Sequence, residues 1–80
     1  MKTTQAVADR ILELCKKRGI TVNLLSTKSA VTQSTVNDIV NGRTKSVGII
    51  TIKKLRDGLD ISLYDFFNTE IFKSLEQEIE

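Results

Sequence analysis

Apolar positions repeat at helical spacing along most of the chain, and the repeat breaks at residues that favour helix ends. The pattern predicts a first helix over 4–18, followed by Gly19, which adopts the left-handed conformation of a helix end without strain. The residues predicted to face inward are Val7, Ile11, Leu14 and Cys15. The residues predicted to face outward are Asp9, Arg10, Glu13, Lys16 and Lys17.

Two short helices with a short turn between them follow. Thr21 is placed to cap a helix over 22–29, and Thr32 is placed to cap a helix over 33–41. The second of these helices should end at Asn41 and Gly42. Two short helices joined in this way form a helix-turn-helix unit.

The rest of the chain predicts two more helices and an amphipathic tail. A helix over 47–59 has the inward residues Ile49, Ile52, Leu55 and Leu59, and Gly58 should mark early fraying of its end. Ser62 and Asp65 form a capping pair for a fifth helix, which carries Leu63, Phe66 and Phe67. A sixth helix over 69–79 would place Ile71, Phe72, Leu75 and Ile79 on one face.

These elements predict an all-α fold, a compact five-helix bundle with an extra C-terminal helix. Eighty residues suffice for one domain, which we divide into a body, 1–67, and an acidic amphipathic tail, 68–80. Residues 1–60 carry eleven basic and five acidic side chains, whereas residues 61–80 carry one and five. This distribution fits a basic body that meets an anionic partner, although an ordinary solvated surface would also explain it.

The composition argues against catalysis and against a membrane location. Histidine is absent, there is one cysteine, and the four glycines show no phosphate-binding pattern. We therefore expect no enzyme activity, no cofactor and no metal site. Because no apolar run approaches the length of a membrane span, and because one cysteine cannot form an internal disulfide, we expect a cytoplasmic protein.

The outward face of the third helix carries the residues of greatest chemical interest. Gln33, Ser34, Asn37 and Asp38 lie opposite the inward Val36, Ile39 and Val40. Glutamine can bond to both N6 and N7 of adenine in the major groove. A polar surface helix without a partner is the competing interpretation, and this helix alone does not decide between them.

A wider pattern resembles a Cro/XRE-type helix-turn-helix domain of the phage-repressor superfamily. The resemblance covers residues 11–67, and its members in chain order are Arg18-Gly19-Ile20-Thr21, Leu25-Ser26, Val31-Thr32-Gln33-Ser34-Thr35-Val36, Asn41-Gly42 and Leu59 to Phe67. It implies a transcriptional regulator, expected to be a repressor, that binds duplex DNA as a homodimer and inserts the third helix in the major groove.

By position, the resemblance also implies which residues touch DNA. The base contacts would be Gln33, Ser34, Asn37 and Asp38. The phosphate contacts would be Thr32, Thr35, Asn41, Arg43, Thr44 and Lys45. For Asp38 a second role is open, because its carboxylate could instead pair with Arg43.

The sequence departs from the family pattern at four positions. Val22 stands where the family often has a phosphate-binding glutamine, Ala30 where it has glycine, and Val47 where it has proline. Leu24 is predicted to be exposed on the second helix. Leu24, Val22 and the apolar face of the tail support an alternative function, a protein-interaction module or an antitoxin on the same scaffold. The apolar face of the tail is either a dimer contact or a segment that folds back on its own core.

Overall fold

The computed structural model describes residues 1–79 and contains five α-helices followed by one turn of 3-10 helix. The helices are α1 (Thr3–Arg18), α2 (Val22–Ser29), α3 (Gln33–Val40), α4 (Ile49–Leu59) and α5 (Leu63–Phe67). Within residues 1–79 there is no strand, so the predicted all-α fold is confirmed. Over the same residues, no helix has the length and apolar character that spanning a bilayer requires.

Polar side chains and left-handed residues fix the helix ends where the sequence predicts them. Thr21, Thr32 and Ser62 each accept a hydrogen bond from the backbone N–H three residues later, at 3.0, 3.2 and 2.9 Å. Gly19 ends α1 with φ of 65°, and Ala30 ends α2 with φ of 55°. Ala30 therefore occupies a left-handed position where glycine would be less strained.

The core lies between α1, α2 and α4, and α3 closes it by packing against α1 and α2. Its buried members come from every helix, and they include all four residues predicted to face inward from α1. The buried apolar cluster consists of Val7, Ile11, Leu14, Cys15, Leu25, Val36, Ile39, Ile52, Leu55, Leu59 and Phe66.

The start of α4 differs from the prediction. The helix begins at Ile49 instead of residue 47, and the Ile49 side chain is 59% exposed instead of buried. Gly48 is extended, with φ of −68° and ψ of 150°, so Val47 lies outside the helix and packs against the core. Since Val47 takes the inward position, the first turn of α4 presents both Ile49 and Ile50 to solvent.

Arg10 is also placed differently from the prediction, since it is only 8% exposed. Its guanidinium donates from Nε to the carbonyl oxygen of Phe66 at 2.8 Å and from Nη2 to that of Asp65 at 2.6 Å. It also pairs with Glu13. A buried charge persists only when it is paired and hydrogen-bonded, and the carbonyls near the end of α5 supply those partners. Arg10 therefore ties α5 to α1.

Gly58 does not fray the end of α4, which continues to Leu59 and ends at Asp60 with φ of 57°. A Cβ atom at Gly58 would lie 2.1 Å from Ser29 Oγ and 3.1 Å from both Ser29 Cβ and Ser29 N. At Gly58, α4 therefore lies so close to Ser29 at the end of α2 that a side chain would clash. Ser29 Oγ itself is buried and has no hydrogen-bond partner among residues 1–79.

The tail does not form the predicted sixth helix. Only Glu70–Phe72 is helical, as a 3-10 turn, and residues 75–79 have no regular structure. Phe72 packs edge-on against Phe67, with ring centroids 5.0 Å apart. Because Ile71, Phe72 and Leu75 are half-buried, the tail folds back on its own core along the described residues. Glu80, the last residue of the predicted tail, lies outside the described residues.

Residues 76–78 bind residues 1–3 one to one in chain order, and we call this contact the head–tail clasp. Lys2 Nζ donates to the carbonyl oxygen of Gln77 at 3.1 Å, and the Thr3 N–H donates to Glu78 Oε1 at 3.0 Å. The Glu76 N–H donates to the carbonyl oxygen of Met1 at 3.2 Å, and the Met1 ammonium lies 2.7 Å from the Glu76 carboxylate. Lys2, at the N-cap position of α1, provides no side-chain cap. The Glu78 carboxylate supplies one instead, because it accepts the hydrogen bond from the Thr3 N–H at the start of the helix.

Candidate nucleic-acid interface

The helix α3 is held by one face and leaves the other face open. Val36 and Ile39 are buried, and they anchor α3 against α1 and α2. The short turn after Ala30 sets the direction in which α3 leaves α2, and Thr32 fixes the residue at which α3 begins. The outward face is therefore presented by a rigid support of packed helices.

The first turn of α3 is polar and accessible. Gln33, Ser34 and Thr35 are all exposed. The Thr32 hydroxyl donates to the Thr35 hydroxyl at 2.8 Å while it accepts from the Thr35 N–H. The Thr35 hydroxyl proton is not used in that bond, so it remains available to an acceptor outside the protein. The N-terminal end of the helix also favours anions, because its backbone N–H groups point outward.

One turn later, Asn37 and Asp38 are half-buried. The Asp38 carboxylate does not stand alone, since Oδ1 accepts a hydrogen bond from Arg43 Nε at 2.9 Å. The pairing that the sequence left open therefore forms. Whether Asp38 also contacts a base stays a prediction.

The loop after α3 is joined to the end of that helix through Arg43 and Asp38, and its polar residues are accessible. Gly42 takes φ of 74°, which turns the chain back along the helix end. Asn41, Arg43 and Lys45 are exposed and Thr44 is half-buried. The residues named as base contacts and those named as phosphate contacts are thus all exposed or half-buried within residues 32–45, and the contact between Arg43 and Asp38 joins the loop to the end of α3.

The structure adds neighbours that the sequence did not indicate. Lys2, Thr3, Thr4 and Glu78 line a surface cavity of about 470 Å³ together with Lys45 and two further loop residues. Lys2 therefore brings a further cation beside the loop, and Glu78 brings an anion. Local patterns cannot reveal these neighbours, because they join positions more than thirty residues apart.

Two of the four positions that depart from the family pattern, Val22 and Leu24, lie on α2. Val22 is half-buried, packs against the core and has no polar atom in its side chain. Leu24 is 45% exposed, as predicted. Among the described residues, no group of three acidic or cysteine side chains lies close enough to hold a metal ion.

Comparisons with known proteins agree with the helix-turn-helix fold. A family model described as helix-turn-helix matches residues 11–66, which is more than half of the chain. The chain is 36% identical to a protein seen in the crystal structure of the prophage Lp1 protein 11, with a TM-score of 0.80. That match covers 94% of this chain and 100% of the other. No curated protein matches the sequence.

Proposed function

Because the chain belongs to the Cro/C1-type helix-turn-helix family, a DNA-binding regulatory family, we propose that it is a sequence-specific transcriptional repressor. In this proposal α3 enters the major groove of duplex DNA. The observation that carries it is the exposed first turn of α3, where Gln33 and Ser34 stand on a helix whose opposite face is buried in the core. In helix-turn-helix docking, the N-terminal residues of the second helix contact base edges.

The proposed base contacts are Gln33, Ser34 and Asn37. A glutamine amide both donates and accepts, so Gln33 can distinguish adenine from the other bases by a paired hydrogen bond. The serine hydroxyl and the asparagine amide also have both functions, although at shorter reach. Asp38, which the sequence also predicts as a base contact, is already paired with Arg43.

The proposed phosphate contacts surround these residues. Arg43 and Lys45 supply positive charge from the loop, and Asn41 and Thr44 supply uncharged donors. The hydroxyls of Thr32 and Thr35 lie at the start of α3. Such contacts fix the register of a protein on DNA without reading the sequence. Each phosphate that is neutralised steepens the dependence of affinity on salt.

We propose that two copies bind a near-palindromic site, with their α3 helices about 34 Å apart, one turn of the duplex. A contact between copies through residues 68–80 stays a prediction. It requires the tail to meet a second copy while its half-buried side chains remain packed on their own core. Loss of the dimer after deletion of residues 69–80 would support it, and a dimer that survives the deletion would contradict it.

Selection from a random duplex pool at near-physiological salt tests the function. The wild-type protein should enrich a palindrome with half-sites about 10 base pairs apart. Gln33→Ala should lose preference at one base pair of each half-site, at a cost of about 1–3 kcal/mol on the preferred sequence. Gln5→Ala, the same substitution at an exposed site on α1, should select the wild-type sequence. Retention without enrichment, lost as salt rises, would contradict sequence-specific binding.

A repressor role is tested separately with the selected sequence placed across a promoter. Binding there should lower reporter output by blocking access, and Gln33→Ala should restore it. Increased output would identify an activator and contradict repression.

The alternative function is a protein-interaction module or an antitoxin on the same scaffold. The exposed Leu24, Ile49 and Ile50 favour it, as does Val22, which cannot donate to phosphate. A stoichiometric protein partner whose capture is lost in Leu24→Ser, together with only weak and salt-sensitive DNA binding, would favour this alternative. DNA selection unchanged in Leu24→Ser, without a captured partner, would favour the repressor.

A further inference from the structure

The end of α3 and the residue after Gly42 are joined twice, once by backbone and once by side chains. The Arg43 N–H donates to the carbonyl oxygen of Asp38 at 2.8 Å, and the Gly42 N–H donates to that of Ile39 at 3.2 Å. With Gly42 left-handed, this is the Schellman arrangement of a helix C-terminus. Arg43 Nε then donates to Asp38 Oδ1 at 2.9 Å across the same cap.

This double connection limits where the Arg43 guanidinium can lie. The backbone bond fixes the Cα of Arg43 relative to Asp38, and the side-chain bond fixes the guanidinium at its Nε edge. A guanidinium has five N–H donors, and the Asp38 bond uses one of them. The four donors on the two Nη atoms have no hydrogen-bond partner among residues 1–79. The Arg43 side chain is 60% exposed, so these donors are accessible.

The same contact makes Asp38 a poor base reader. One oxygen of its carboxylate is already engaged, and the residue lies in the last turn of an eight-residue helix, away from the N-terminal turn that contacts base edges. A carboxylate facing DNA phosphates also opposes binding unless a cation or a cytosine amine offsets it. Arg43 is such a cation, held at hydrogen-bond distance.

We propose that Asp38 is a positioning residue, which holds the Arg43 guanidinium by its Nε edge so that the Nη donors are preorganised to bind a backbone phosphate. Asp38 then strengthens binding to every duplex, whatever its sequence, and contributes nothing to base preference. Preorganisation strengthens binding because less side-chain freedom is lost when the phosphate is bound. The inference rests on the DNA-binding function proposed above, and it replaces base reading as the role of this one residue.

Two substitutions of Asp38 separate positioning from charge. Asp38→Asn and Asp38→Ala both remove the negative charge, but only asparagine retains an oxygen that can accept from Arg43 Nε. We expect Asp38→Asn to bind an unselected duplex about 1.4- to 5-fold more tightly than Asp38→Ala, the affinity ratio that corresponds to the coupling measured between exposed partners. In an Arg43→Ala background the ratio of the two affinities should be 1. Urea unfolding of each variant shows whether a change in stability accompanies the change in affinity.

The test measures these four variants and the wild type on an unselected duplex, followed by pool selection with each Asp38 variant. The proposal would be overturned if Asp38→Asn and Asp38→Ala bound the duplex equally tightly with Arg43 present. It would also be overturned if the ratio of their affinities were the same with Arg43 present and in the Arg43→Ala background. A base preference that changes at one position in both Asp38 variants would instead make Asp38 a base reader. Failure of the repressor proposal is distinguishable, because it would appear as wild-type protein that enriches no sequence, whatever the ratio on the unselected duplex.

Discussion

Replacing Gly58 by alanine tests how closely α2 and α4 are packed. The backbone of Gly58 lies within α4, outside the left-handed region, so alanine fits its conformation. The new methyl group would meet three atoms of Ser29. Rotation of the side chain can move Oγ, which lies 2.1 Å from the ideal Cβ position, but Cβ and N of Ser29, both at 3.1 Å, move only with the backbone of α2.

Two effects of opposite sign decide the outcome. Alanine stabilises a helix interior relative to glycine by about 1 kcal/mol. An extra methyl group in a filled interior destabilises by about 1–3 kcal/mol. Since two of the three contacts involve atoms fixed to the backbone, we expect the second effect to be larger, with a net loss of about 1 kcal/mol in the free energy of unfolding. For a domain of this size, the melting temperature should fall by about 4–8 °C.

Thermal and urea unfolding, followed by far-ultraviolet circular dichroism, measure this loss. Gly48→Ala is the matched control, because a Cβ atom there meets nothing within 4 Å and its φ is −68°. Because Gly48 is the N-cap residue of α4, where alanine is less favourable than glycine, we expect a loss of about 0.5 kcal/mol in the free energy of unfolding that does not depend on Ser29. Ser29→Ala removes the buried Oγ, so Gly58→Ala should destabilise less in that background than in the wild type. A Gly58→Ala protein that is at least as stable as the wild type would refute the close approach of α2 and α4.

Further predictions concern stability, pH and reactivity. Arg10→Ala should lower the free energy of unfolding by about 2–4 kcal/mol, because two carbonyl oxygens lose a charged donor; a loss below about 0.5 kcal/mol, the effect of an ordinary surface change, would contradict this. The Met1 ammonium lowers the pKa of Glu76, and the Thr3 N–H lowers that of Glu78, both below the ordinary value of 4.5. The stabilisation by these two carboxylates should be present above pH 4.5 and lost as the pH falls through their lower pKa values in the folded protein. The difference in the free energy of unfolding between the wild type and a Glu76→Gln/Glu78→Gln variant should therefore shrink on acidification. A constant difference between pH 6 and pH 3 would argue against this stabilisation. Burial raises the pKa of the Cys15 thiol above 9.0, so a disulfide reagent at pH 8 should modify it slowly until urea unfolds the protein, and rapid modification of the folded protein would refute this.

The sequence predicts the elements that depend on local chemistry. The limits of α2, the start of α3 and the end of α1 follow from residues that cap helices or adopt left-handed φ, and these preferences act within a few positions. The polar surface of residues 32–45 follows in the same way, because Val36 and Ile39 fix which face of α3 is buried.

The features that the sequence did not predict depend on contacts between distant residues. Arg10 looks like a surface residue until the end of α5 places two carbonyl oxygens beside it. The exposure of Ile49 depends on Gly48, whose extended backbone shifts the start of α4. The tail has the apolar spacing of a helix, but it does not form one. It is held instead by packing of Phe72 on Phe67 and by hydrogen bonds to residues 1–3.

The head–tail clasp has a consequence for the order in which the molecule folds. Its side-chain bonds join residues 75 positions apart, whereas the helices and their caps close within a few positions. Closing a long loop carries a larger entropic cost than closing a short one, so the helical core should form first and the clasp last. Exposed contacts at chain termini also open at lower free energy than core helices. We therefore expect the Thr3 amide to exchange its hydrogen through local opening, well before the Leu55 amide exchanges through global unfolding.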